Sequence, residues 1–155
     1  MPETIFNRVE SLLKQHGIVF QVLQHEPVFT SEEAARVRGT PLASGAKALI
    51  IKGEEGFAMF VVPADRKLDN HAVHRAKGWK KMRFATRDEV LELTGLTPGS
   101  IPPFGSLFGL HTHCDERLAE NDVINFNAGD HGISVSMRYV DYIPVEKPEL
   151  GKFAE

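Results

Sequence analysis

The chain has 155 residues, of which 42% are hydrophobic and 25% charged, with a formal net charge of −3 and a single cysteine. That length suits one domain, residues 1–155, with a real core, and is short for a catalytic domain joined to a separate recognition domain. No apolar run approaches the roughly 20 residues of a membrane span, and the start MPETIFNRVESLL lacks the basic segment and apolar block of a secretory leader. Cys114 has no internal disulfide partner and reads as an inert thiol, so the cytoplasm is the expected compartment. The acidic balance argues against a general DNA-coating or membrane-surface role, yet it permits a local phosphate-binding face.

Thr4 predicts the cap of a first helix carrying Ile5, Val9, Leu12 and Leu13 on one face and ending at Gly17. A strand follows near residues 18–23. Thr30 with Glu33 three positions on is a capping-box pattern that opens a short helix over 31–38, before a loop holding Gly39, Pro41 and Gly45. The runs 46–51 and 57–62, separated by KGEEG, read as an antiparallel hairpin. A helix over 70–76, a strand over 82–85 and a helix over 87–93, capped by Thr86 and Glu89, come next. Strands are expected over 106–110, 123–127 and 133–140. Strands with interspersed short helices, without strict alternation, predict an α+β fold with a curved mixed or partly closed sheet.

Two features stand out as chemistry. Gly95–Gly105 reads GLTPGSIPPFG, with three glycines and three prolines after a helical pattern. Such a loop can hold carbonyls and amides in fixed directions, although Pro-Gly turns also serve as plain connections. Lys47 opens the apolar strand of GAKALIIK, where a lysine works as a fixed cation or snorkels to water.

A third feature is charge. Between Asp65 and Arg83 stand seven basic residues, Arg66, Lys67, Arg75, Lys77, Lys80, Lys81 and Arg83, against two acidic ones. This stretch is either a phosphate-holding face or a solvated helix and turn; Trp79 within it either stacks on a base or anchors the turn. Histidines supply the rival chemistry. His111 and His113 alternate along a strand and project to one face, with Asp115 and His131 as candidate neighbours, which would suit a metal-dependent hydrolase. No acidic residue follows at a spacing that fixes a third ligand. His71 and His74, three apart on the predicted helix, share one face within the basic stretch.

The chain resembles the YbaK-like proteins and the editing domain inserted in bacterial prolyl-tRNA synthetases. The resemblance rests on HEP at His25–Pro27, the lysine of GAKALIIK, VVPADRKLD, GWKKMRFAT, TGLTPGSIPPFG and INFNAGDHGISVSM. It implies a mixed, mainly antiparallel, partly closed sheet with short flanking helices, and hydrolysis of mischarged aminoacyl-tRNA without metal or organic cofactor. Lys47 matches the family's essential lysine, and Gly99–Pro103 (GSIPP) fits its GxxxP loop. The resemblance makes Lys47, Gly99 and Pro103 catalytic, and places Ser100, Ile101, Pro102, Asn127, Gly129 and Ser134 around the aminoacyl group. Lys67, Lys77, Lys80, Lys81 and Arg83 are the expected tRNA contacts. A tyrosine of some members is Leu23 here, and an acidic residue of some members is Ser134.

The implied partners are the acceptor end of aminoacyl-tRNA, with tRNA(Pro) carrying a small wrong amino acid foremost, and prolyl-tRNA synthetase. The family is thought to lean on the substrate's own ribose hydroxyl, in keeping with the lack of an evident Ser or Cys triad. Two alternatives stay open: a tRNA- or synthetase-binding module of the same fold that does not hydrolyse, and the metal hydrolase built on His111 and His113.

Overall fold

The computed structural model describes residues 4–155; the reading of the first residues as no leader rests in part on residues 1–3, outside the described residues. Helix α1 (Ile5–Gln15) starts where the Thr4 hydroxyl accepts the Asn7 amide at 3.1 Å, and it buries Val9 and Leu13 completely. Strand β1 (Phe20–Gln24) leads to α2 (Ser31–Arg38), capped by Thr30. There the hydroxyl accepts the Glu33 amide while donating to the Glu33 carboxylate, so only half of the expected box forms. The box at Thr86 is complete and opens α4 (Arg87–Thr94).

The hairpin is β2 (Ala46–Gly53) and β3 (Gly56–Pro63), paired antiparallel along their full length. After α3 (Asn70–Lys77) and the short β4 (Arg83–Phe84), the chain continues through β5 (His111–Asp115), β6 (Val123–Asn127), β7 (Ile133–Arg138), α5 (Tyr139–Glu146) and β8 (Glu149–Gly151). The strands form two sheets. One is antiparallel with order β1-β7-β6; the other is mixed with order β4-β2-β3-β5-β8, in which β3–β5 and β5–β8 are parallel. One bridge, Gly45 to Asn125, links them, so the expected single, partly closed sheet is instead two sheets that do not close into a barrel.

Alternation along the hairpin divides the core. Ile50, Met59 and Val61 face α1 and the three-stranded sheet, while Ile51, Ala58 and Phe60 face Val73 of α3, Trp79 and Phe153. Trp79 is 4% exposed, packs against Gly53 and donates to Glu55 at 3.1 Å, so it anchors the turn and is not free to stack on a base.

Two expected strands are corrected. Residues 106–110 form a 3₁₀ turn, Gly105–Phe108, closed by Gly109 at φ +70°; the Leu110 amide returns to the Gly105 carbonyl, and the strand begins only at His111. The run 133–140 ends as a strand at Arg138 because the chain turns into α5, whose Pro144 hid the helix in the sequence. Short β8 was also missed. Asp115 fastens this C-terminal segment: its carboxylate accepts the Phe153 and Ala154 amides, each at 2.8 Å, instead of standing by the histidine pair as a ligand.

Helix α5 also supports the proline loop. The fully buried Tyr142 hydroxyl donates to the Pro103 carbonyl at 2.6 Å. Tyr142→Phe leaves that carbonyl without its partner, which costs about 1–3 kcal/mol. The expected result is a melting temperature several degrees lower with an unchanged circular dichroism spectrum; an unchanged melt would show that the bond contributes nothing.

Candidate active site

A cavity of about 270 Å³ opens between the start of β2, one face of α2, the 98–101 segment and the end of β6. Its walls are largely apolar, from Ala34, Leu49, Ile50, Val90, Ile101 and Phe126, with Phe29 and Phe84 among the lining residues that stay exposed. Lys47, Arg38, Asn127 and the Gly99 backbone bring polar groups to it.

Lys47 is half-buried, and its ammonium donates to the Arg66 carbonyl at 3.1 Å. Desolvation lowers its pKa, the nearby Lys67 adds to the effect, and Glu32 and Asp65 oppose it. The lysine is therefore a partly desolvated cation, held by a carbonyl and, among the described residues, in no ion pair with a carboxylate. Partial desolvation strengthens its pull on an incoming anionic or carbonyl oxygen.

Gly99 adopts φ +93°, a conformation in which a side chain would be strained, although a Cβ there would only touch the His131 ring at 3.4 Å. Three bonds hold the segment around it. The Asn127 amide donates to the Gly99 carbonyl at 2.8 Å, the Gly129 amide donates to the Ser100 carbonyl at 2.8 Å, and the Ser100 hydroxyl donates to the Thr97 carbonyl at 2.8 Å. His131 bonds Thr97 at 2.9 Å and the Val28 carbonyl at 3.1 Å, tying the loop to the segment before α2.

Of the expected site residues, the structure brings Lys47, Gly99, Ile101 and Asn127 to the cavity. Ser100, Pro102 and Pro103 are buried behind it and shape the loop. Gly129 is at φ +84°, where a Cβ would meet Ile5 at 2.8 Å, so it serves the packing of α1 and the Ser100 bond. Ser134 lies one layer back. Its hydroxyl meets Arg38 Nε at 2.8 Å and His25 Nε2 at 2.8 Å, and Arg38 also donates to Asn127 Oδ1 at 2.9 Å.

Arg38 is the residue that sequence reasoning missed. Burial pulls its pKa down to about 10, which leaves a cation at neutral pH inside the cavity wall. Its position at the end of α2, just before Gly39, gave only a helix-terminus signal; nothing in the sequence placed it against β6 and β7.

The basic stretch is only partly free. Lys77 pairs with Glu149 at 3.2 Å, and Arg83 forms a two-pronged contact with Glu89 at 2.7 and 3.0 Å. Among the described residues, Lys67, Lys80 and Lys81 are exposed and make no ion pair. His111 and His113 do not line the cavity, and His131 belongs to the proline loop. Cys114 is fully buried and its thiol is pushed up to about 12 by desolvation, which removes it as a nucleophile.

Residues 25–144 match the model of the aminoacyl-tRNA editing domain. The chain belongs to that family. It is 37% identical over 151 residues to the multifunctional Ser/Thr-tRNA deacylase ProXp-y of Escherichia coli K12, covering 94% of this chain and 90% of that protein. It is 25% identical over 147 residues to the prolyl-tRNA editing protein ProX of Acetoanaerobium sticklandii, covering 91% of this chain and 90% of that one. A crystal structure of a candidate trans-editing enzyme for prolyl tRNA synthetase superposes with a TM-score of 0.87 at 25% identity, covering 100% of this chain and 99% of the other.

In this editing-domain chain the Asn127 bond holds the Gly99 carbonyl, in a segment that lines the same cavity as Lys47. Asn127→Leu removes the donor to Gly99 and the acceptor of Arg38 together. The expected outcome is faster amide hydrogen exchange across 97–103 while β2 and β3 keep their protection; unchanged exchange in the loop would show that its prolines alone hold it.

Proposed function

We propose that this chain is a trans-acting aminoacyl-tRNA deacylase that hydrolyses the ester joining a small wrong amino acid to tRNA, with tRNA(Pro) the foremost substrate. The carrying observation is Lys47 and the fixed Gly99 segment sharing one apolar-walled cavity in an editing-domain chain. The names of the relatives, one acting on Ser/Thr-tRNA and one on prolyl-tRNA editing, support this substrate class. So does size: about 270 Å³ falls just below the roughly 300–1,000 Å³ usual for ligand sites, which favours a short side chain over a bulky one.

An aminoacyl ester is already activated, so hydrolysis needs an aligned water and stabilisation of the developing oxyanion. Water adds to the ester carbonyl, the bond from that carbon to the ribose oxygen breaks, and the ribose oxygen takes up a proton. In our reading Lys47 holds the terminal adenosine phosphate or polarises the ester region, and the Gly99–Pro103 backbone sets the aminoacyl group and the water. Asn127 and Arg38 complete the pocket. Ser134, bonded to Arg38 and 2% exposed, orients them and is not the nucleophile.

Lys47→Ala should lower deacylation by at least about tenfold, or roughly 1.4 kcal/mol of transition-state stabilisation. Its melt should stay close to that of the parent chain, since a half-exposed lysine seldom contributes more than about 0.5 kcal/mol to stability. A panel of alanyl, cysteinyl, seryl, threonyl and prolyl esters on tRNA(Pro) and other tRNAs reads both the activity and the amino acid. Full activity in folded Lys47→Ala sinks the assignment. Binding of tRNA without hydrolysis of any ester favours the non-catalytic module. Because the His111 and His113 pair stands apart from the cavity lining, activity should also survive EDTA; loss restored by Zn²⁺ in a chain whose melt EDTA leaves unchanged would revive the metal hydrolase.

The unpaired lysines define the tRNA face in this proposal. Replacing Lys67, Lys80 and Lys81 together by Ala should weaken tRNA binding and flatten its salt dependence, each lost phosphate contact removing about 0.7–0.9 from the log–log slope. Turnover at saturating tRNA should change far less. An unchanged slope would leave the acceptor end at the Lys47 cavity as the main attachment.

A further inference from the structure

Parallel pairing of β5 with β8 places Glu149 opposite His113, and the alternation of β5 puts His111 on the same face. The three side chains offer ligand atoms that all lie within 4.8 Å of one another. His111 Nε2 stands 3.5 Å from one Glu149 oxygen and His113 Nε2 stands 3.7 Å from the other. Two atoms each bound at 2.0–2.1 Å to a tetrahedral Zn²⁺ are about 3.3–3.4 Å apart; the two contacts to the carboxylate, one to each oxygen, are close to that, and the widest separation of the set, up to 4.8 Å, closes by rotation of the exposed His111 and Glu149 side chains.

The chemistry of His113 is the second observation. It is 1% exposed and stacked on Phe60 with ring centroids 4.2 Å apart, which fixes the ring plane. Its Nδ1 faces the Met59 carbonyl at 3.2 Å and therefore carries the hydrogen. That leaves the lone pair on Nε2, a buried atom with no hydrogen-bond partner among the described residues, aimed at a carboxylate. A lone pair facing an anion is unfavourable unless a cation lies between them. Carbonyl-oriented imidazole is also the arrangement that fixes a metal-ligating histidine.

We propose that His111, His113 and Glu149 form a binding site for a divalent transition metal of the Zn²⁺ class. Two imidazoles and one carboxylate suit Zn²⁺ and its borderline neighbours and not Mg²⁺ or Ca²⁺, which prefer all-oxygen shells. Three protein ligands at an edge strand leave a fourth position to water. The site shares no residue with the cavity, so its role is to fasten the three-residue strand β8 to β5, and it stands whether or not the deacylase reading does. Lys77 is the competitor: its ammonium now satisfies Glu149 at 3.2 Å, and metal binding must displace it.

The test is isothermal titration of the full chain, freed of any affinity tag, with ZnCl₂, alongside thermal melts with and without the ion. The expected result is saturable binding of one ion per chain and a higher melting temperature with metal. His111→Ala and Glu149→Gln, both at exposed or half-exposed positions, should each weaken binding by about tenfold or more. Lys77→Met should tighten it. Melts of the metal-free variants show that they remain folded, so lost binding reports lost ligands. Absence of saturable binding to the parent chain overturns the proposal, as does equal binding by the folded Glu149→Gln and His111→Ala chains.

Discussion

The bond from the Asn127 side chain to the Gly99 carbonyl is the contact on which the arrangement of the cavity depends. The three prolines of the loop lack amides with which to fold back. Bonds from outside hold it: Asn127 from the end of β6, the Gly129 amide just beyond it, and Tyr142 of helix α5 on the far side. Because β6 is bridged to Gly45 at the entrance of β2, the same strand that pins the loop also sets its distance from Lys47. The cavity thus lies where the two sheets, packed through the core and joined by one backbone bridge, meet α2 and the proline loop.

Electrostatics follow from that gap. The chain is acidic overall, yet the cavity holds two cations, Lys47 and Arg38, each partly stripped of water. Arg38 is anchored by neutral acceptors, Ser134 and Asn127, so its charge is not cancelled by a carboxylate within bonding distance. Among the described residues, Lys47 bonds the Arg66 carbonyl and no carboxylate. Such cations keep most of their field for a ligand, which suits a phosphodiester end or a developing oxyanion better than it suits a cationic or purely apolar guest.

What could be read from the sequence was what depends on neighbours along the chain. The Thr4 and Thr86 caps, the 46–62 hairpin and the glycine-proline loop were legible because each is fixed by a few consecutive residues. Lys47 and the Gly99 loop stood out from local composition, and their catalytic assignment came through the resemblance of their motifs. The errors lie where distant segments decide. Residues 106–110 look apolar enough for a strand, but Gly105 packs so closely on Thr112 and Leu110 that the chain turns there first. Arg38 gained its place only when α2 met β6 and β7. Glu149 could not be assigned to the histidines because β8 is three residues long and its register is set by pairing with β5.

The central claim is that the aminoacyl ester sits between the Lys47 ammonium and the Gly99 segment. The most direct measurement is a crystal structure with a non-hydrolysable 3′-amide analogue of seryl-adenosine 5′-phosphate. The account predicts the amide carbonyl inside the cavity, with the seryl group beside Gly99 and Asn127 and the phosphate within reach of Lys47 or Lys67. An analogue seated elsewhere, with Lys47 still bonded to Arg66 and the cavity filled only by water, would contradict it.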